Sequence, residues 1–233
     1  MTSTGLGRIE PSDWSHVDKY PLTALPSKDK PQGVPVVWGI NWYTAFDTPE
    51  IYDGRWWIGR GDLGPIRGGH AVCSPSMDQK DSLKWWDFYN QGSEGACVGF
   101  AASRMMSLLN RKRYSAEWLY RESQKVDEFE GEDYEGTTVR AALDVLRDHG
   151  HCRYRRKDHY EDAALQDGIA ANRWATSVDQ VLDTLNSPSY VEIGGIPILN
   201  SWGRDYPHLV WVPFDVWTRL LDEGGECGLI TDR

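Results

Sequence analysis

Residues 90–103 read NQGSEGACVGFAAS, a glycine-bearing loop running straight into a helical pattern whose first residue is Cys97. From there Val98, Ala101, Ala102, Met105, Leu108 and Leu109 recur at i, i+3, i+4, i+7, i+10 and i+11, the stripe of a helix buried on one face. The unpaired amide N–H groups and the positive end of the helix dipole at such a terminus favour a thiolate over a thiol, so the position suits a nucleophile. A cysteine there also reads as a small buried hydrophobe, and the segment alone leaves both readings open. Gln91, six residues before Cys97, stands where the loop can turn its amide N–H toward an oxyanion formed at the sulfur.

Outward from this segment the period changes twice. On the carboxyl side, helices are expected from Ala116 to Val126 with Ser115 as N-cap, and from about Thr138 to His149 with Thr137 as cap and Gly150 as stop. After a polar stretch from Arg153 to Asn172, Ser177 caps a short helix through Leu185. Strands are expected at Tyr190 to Asn200, His208 to Val212 and Cys227 to Thr231, with a helix from Phe214 to Leu221. On the amino side, Val34 to Tyr43 and Gly68 to Met77 are β-like, and the glycine- and proline-rich stretch Thr48 to Arg67 between them reads as a long loop. Residues 1–32, broken by Pro11, Pro21, Pro26 and Pro31, read as an extended arm. The order is β, then α, then β.

Two further residues fit the chemistry of Cys97. His70 follows two glycines in a strand, so its ring is uncrowded and can face a cleft. Asn200, in Asn200-Ser201-Trp202-Gly203, ends a strand and can hold an imidazole in one tautomer. Each has a plain alternative: a histidine satisfied by a carbonyl, an asparagine capping a turn, a tryptophan filling a core.

Composition narrows the field. The chain of 233 residues is 40% hydrophobic and 26% charged, which excludes disorder and is large enough to fold without disulfides. Thirty-five acidic against 25 basic residues give a formal charge of -10, which repels phosphate backbones, so no nucleic-acid partner is expected. The run Arg153, Arg155, Arg156 and Lys157 reads as a solvated loop. Cys73, Cys97, Cys152 and Cys227 are widely spaced without a CxxC pair, so a reducing, cytoplasmic setting is expected. No signal peptide and no run of about 18 apolar residues occurs, so no membrane partner is expected. His149, His151 and Cys152 lack a fourth ligand at metal spacing, and the acidic loop at 128–136 lacks the alternation of an EF-hand, so no metal or cofactor is expected.

QGSEGAC with its following helix, RGGHAV and ILNSWG together resemble the nucleophile, histidine and asparagine motifs of the papain-like cysteine peptidases, in particular compact bacterial and phage-encoded members. Weaker similarity in YSAEWLY, EGTTVRAALDVLRDHG and PVVWGINWY, among others, extends the resemblance over roughly three quarters of the chain. It implies an α+β, papain-like two-lobe fold: a helical lobe, mainly 90–189, and an antiparallel β-barrel-like lobe from 33–78 and 190–233, together one catalytic domain after the arm. It also implies a cysteine peptidase acting on a peptide or protein, with Cys97 as nucleophile, His70 as base and acid, Asn200 as its orienter, Gln91 as oxyanion donor and Trp202 as a shield over the His70–Asn200 bond. Gly136 is a candidate contact for the substrate backbone.

The resembled family presents nucleophile, then histidine, then asparagine. Here His70 precedes Cys97, an altered segment order, as if 34–77 had been moved to the front. Val98 also replaces the aromatic residue that commonly follows the nucleophile. Two other functions stay open: a papain-like scaffold or interaction protein with little turnover, virion-associated if phage-encoded, and an acyltransferase using the same groups.

Overall fold

The computed structural model describes residues 33–76, 89–129, 135–156, 159–160 and 162–232. The expected arm at 1–32 lies outside them, as do residues 77–88, Lys157 and the middle of the acidic loop.

The centre of the molecule is a four-stranded antiparallel sheet. Strands β1 (Val36–Tyr43), β4 (Ile66–Ser74), β7 (Ile169–Trp174) and β10 (Glu226–Asp232) lie in the order β4-β1-β10-β7. Because side chains alternate along a strand, β1, β4 and β10 each serve two cores at once. Val36, Trp38, Ile40 and Trp42 of β1 face one core, with Val72 of β4 and Leu229 of β10 beside them. Val37, Ala71, Cys73 and Ile230 face the other.

On the second face pack α1 (Cys97–Asn110), α2 (Ala116–Ser123) and α3 (Val139–Asp148). Glycines in the sheet let α3 approach: a Cβ on Gly39 would stand 3.0 Å from Val139 Cγ2, and one on Gly228 2.7 Å from Leu143 Cδ1. Ser115 caps α2 and Ser177 caps α4 (Val178–Leu185) as the sequence predicts; α3 is capped by Thr138 rather than Thr137, whose hydroxyl donates to Asp127 instead.

On the first face lies a second sheet: β2 (Glu50–Tyr52), β3 (Arg55–Trp57), β9 (Val210–Pro213) and β8 (Gly195–Ile198), in the order β2-β3-β9-β8. With it pack α4 and α6 (Phe214–Asp222), and Trp217 of α6 stacks on Trp38 at 3.9 Å.

The expected antiparallel barrel is not closed: the described residues form two separate four-stranded sheets, and β3 runs parallel to β9. Three local expectations also change. The loop at 48–67 contains the β2–β3 hairpin. The polar stretch before Asn172 contains the start of β7, together with the short pair β5 (Tyr154–Arg156) and β6 (His159–Tyr160). The strand expected from Tyr190 begins instead as α5 (Pro188–Ile193), with proline at its first turn and Gly194 at φ +81° ending it before β8.

Candidate active site

Four segments meet at one edge of the central sheet. Leu199, just after β8, pairs with Cys73 of β4, its N–H donating to the Cys73 carbonyl at 2.8 Å. The next residues pair with the segment before α1: Gln91 N–H donates to the Ser201 carbonyl at 2.9 Å, and Gly203 N–H to the Tyr89 carbonyl at 2.9 Å. A ladder therefore runs from the His70 strand through Asn200 to the Gln91 loop. The loop then turns at Gly92, at φ +64°, where Asn90 Oδ1 accepts from the Gly92 N–H, and enters α1 at Cys97.

His70 Nε2 stands 2.8 Å from Asn200 Oδ1, and both residues are buried. That oxygen also accepts from the Ser201 N–H at 2.7 Å, which fixes the orientation of the amide. An amide oxygen only accepts, so Nε2 carries the proton and Nδ1 of the neutral ring carries the lone pair. Among the described residues Nδ1 has no hydrogen-bond partner. Trp42 and Trp202 pack against the ring, with centroids at 4.7 and 5.0 Å, and Tyr206 meets Trp202 at 5.2 Å. Tyr206 in turn donates to the Phe46 carbonyl at 2.9 Å.

Cys97 is the first residue of α1, whose N-cap, Ala96, offers no side-chain bond to the free amides of the first turn. The amides of Cys97 and Val98 therefore face the sulfur, and so does the amide of Ala71, the neighbour of His70. These dipoles favour a thiolate, but burial outweighs them and pushes the thiol up to about 11. Burial also pulls His70 down to about 4, against the opposing pull of its bond to Asn200. Burial thus opposes the thiolate that the helix terminus favours, and it opposes the imidazolium as well.

Gln91 is nearly buried, and its Nε2 donates to the Glu94 carbonyl at 3.0 Å, bracing the loop before α1. Gly136 lies across from that loop, where a Cβ on Gly95 would meet the Glu135 carbonyl oxygen at 2.6 Å. Its carbonyl accepts from Gln124 and its N–H faces the Tyr120 hydroxyl, so its backbone groups are engaged within the chain. Beyond Tyr206 lies an open depression of about 440 Å³, lined among others by Asp47, Trp56, Arg204 and His208. No cluster of three or more candidate metal ligands occurs among the described residues. No helix of the described residues is long and apolar enough to cross a membrane.

The sequence does not single out Trp42, Tyr206 or Arg104, which surround or underlie these groups. Trp42 is visible there only as one apolar position in an alternating strand. His151 is a buried structural histidine: its Nδ1 accepts from the Cys152 N–H and its Nε2 bonds Ser103, each at 2.8 Å.

No protein-family model matches the chain, and no curated protein matches it in sequence. Solved structures do. The crystal structure of xylellain, a cysteine protease from Xylella fastidiosa, matches over 99% of this chain and 97% of its own, at 14% identity and a TM-score of 0.50. The fold is similar to that of papain-like cysteine proteases. A structure concerned with the mite allergens Blo t 1 and Der p 1 matches over 63% of this chain and 67% of its own, at 13% identity and a TM-score of 0.41. At such identities the papain-like likeness is one of fold.

Proposed function

We propose that this chain is a thiol hydrolase of the cysteine-peptidase class, cleaving amide bonds in a peptide or protein. The observation that carries this reading is the His70–Asn200 pair, which leaves Nδ1 as an unengaged base one residue from the Ala71 amide that faces the Cys97 sulfur.

In this reading His70 Nδ1 takes the Cys97 proton as the sulfur attacks the substrate carbonyl, giving a tetrahedral oxyanion and then an acyl-thioester as the protonated ring passes the proton to the leaving amine. Water, deprotonated by the same nitrogen, then releases the acid. Asn200 holds the ring, Trp202 covers the His70–Asn200 bond, and the Gln91 amide with the Cys97 N–H receives the oxyanion. Because burial disfavours the charged form of both groups, the proton in this reading moves with substrate attack rather than in advance. The histidine strand precedes the nucleophile helix in the chain, which the chemistry tolerates because such triads are defined by geometry rather than by order.

A second reading has its own support: Cys97 is 5% exposed and His70 not at all, as in a scaffold that retains the fold with little turnover. Alkylation of Cys97 by iodoacetamide, followed from about pH 4 to 9 in wild type and His70→Ala, separates the two. Labelling near neutral pH slowed by about 10²–10⁴-fold in His70→Ala is the result expected of a base acting on the thiol. Slow labelling of equal rate in both proteins leaves the scaffold.

A further inference from the structure

Arg104 lies on α1 seven residues after Cys97, two turns along the same helix face and about 10 Å from it at the ordinary helical rise. It is 1% exposed, and among the described residues Nε, Nη1 and Nη2 have no hydrogen-bond partner. Its guanidinium carbon lies 4.3 Å from the centroid of the Tyr89 ring, a favourable cation–π contact. No carboxylate of the described residues pairs with it, and the charge of Arg113 repels it. A buried guanidinium is normally paired, because its five donors lose water without replacement.

The surroundings of Arg104 come from every segment of the candidate site. Cys73 is on the His70 strand, Tyr89 precedes Gln91, and His208, which feels the Arg104 charge, follows the Trp202 loop. In a chain of net charge -10, the point where these segments meet is positive.

We propose that Arg104 is the receptor of a small monovalent anion of the halide or nitrate class, which bonds the guanidinium and holds α1, β4, the Tyr89–Gln91 segment and the loop after Trp202 together. A monovalent anion suits the place better than sulfate or phosphate. Desolvation grows with the square of the charge, and one weakly hydrated guanidinium beside an aromatic face balances one weakly hydrated negative charge. The site is independent of turnover and stands whether or not the chain is a peptidase.

The test is thermal unfolding of the full chain at constant ionic strength, with sodium gluconate replaced stepwise by sodium chloride or bromide, in wild type and Arg104→Met. A saturable rise of ~5–10 °C at about a hundredfold excess over Kd is expected in wild type, and none in Arg104→Met. A wild-type midpoint that follows ionic strength alone, or a halide response kept by Arg104→Met, overturns the proposal. Should Arg104→Met fail to fold, chlorine NMR of the wild type decides: excess broadening of the chloride line reversed by nitrate supports the site, and its absence overturns it.

Discussion

His70 Nε2 meets Asn200 Oδ1 at 2.8 Å across 130 residues of chain, and the Ser201 N–H pins the same oxygen at 2.7 Å. The pair thereby fixes which histidine nitrogen is proton-bearing and which is basic. In Asn200→Ala the buried Nε2–H loses its acceptor. The expected outcome is a loss of about 1–3 kcal/mol in urea unfolding, together with Cys97 alkylation slowed by about fivefold or more as the ring loses its orientation. Unchanged alkylation in a folded variant would mean that Asn200 does not orient the base.

Acid should unfold this protein through its histidines before its carboxylates. Burial holds His70 at about 4 and His151 at about 3, below the ordinary ~6.5, so the unfolded chain binds protons that the folded chain refuses. Stability is therefore fully present above about pH 6.5 and is lost as pH falls toward 4, by several kcal/mol for the two groups together. His151→Gln removes one of them, so a plot of unfolding free energy against pH between 4 and 6.5 should be shallower in the variant. An equal slope in both proteins would sink the prediction.

Asp167 gathers three donors from two segments: Arg153 Nε at 2.7 Å, and from the turn after α1 Lys112 Nζ at 2.8 Å and the Tyr114 hydroxyl at 3.0 Å. Burial pushes its carboxyl up, but the three bonds together outweigh burial and hold it at about 2. Its contribution is thus present above about pH 4 and is lost only as pH falls through 2. Asp167→Ala should cost about 1–3 kcal/mol at pH 7, less than for a sealed pair, because Lys112 and Arg153 are 40% and 37% exposed. Thermal unfolding at pH 7 checks the size of the loss.

Gly99 is where α1 and α2 touch: a Cβ there would stand 2.6 Å from the Ala116 carbonyl oxygen and 2.8 Å from the Tyr120 nitrogen, both backbone. Gly99→Ala gains about 1 kcal/mol of helix propensity, yet a net destabilisation of about 1–2 kcal/mol is expected, because backbone cannot swing aside. Gly228→Ala, whose Cβ would meet only side-chain atoms, Leu143 Cδ1 at 2.7 Å and Val37 Cγ1 at 3.1 Å, should cost less. A more stable Gly99→Ala protein in urea titration would show that the helices can separate freely.

Periodicity and cap residues determined much of this protein locally. The stripe from Val98 to Leu109 specifies α1, and Ser115 and Ser177 specify the starts of α2 and α4, because a helix interior and its first turn are governed by residues within a few positions of each other. Where local signals conflict with packing, the sequence misleads. Tyr190, Val191 and Ile193 favour a strand, yet Tyr190 to Ile193 is helical, since Pro188 starts a turn there and Tyr190 reaches the Pro75 carbonyl.

The candidate site divides in the same way. Cys97, His70, Asn200 and Gln91 are visible in the sequence as motifs, but their meeting is not, because the ladder from Cys73 through Leu199 to Gln91 joins segments more than a hundred residues apart. The charge state at Cys97 was also beyond the sequence. A helix terminus argues for a thiolate, and only the packed structure, by removing water from both Cys97 and His70, sets burial against the charged form of each. Likewise Arg104 reads in the chain as one more basic residue on a helix, and tertiary packing alone turns it into a buried cation, because burial depends on what the rest of the chain brings against it.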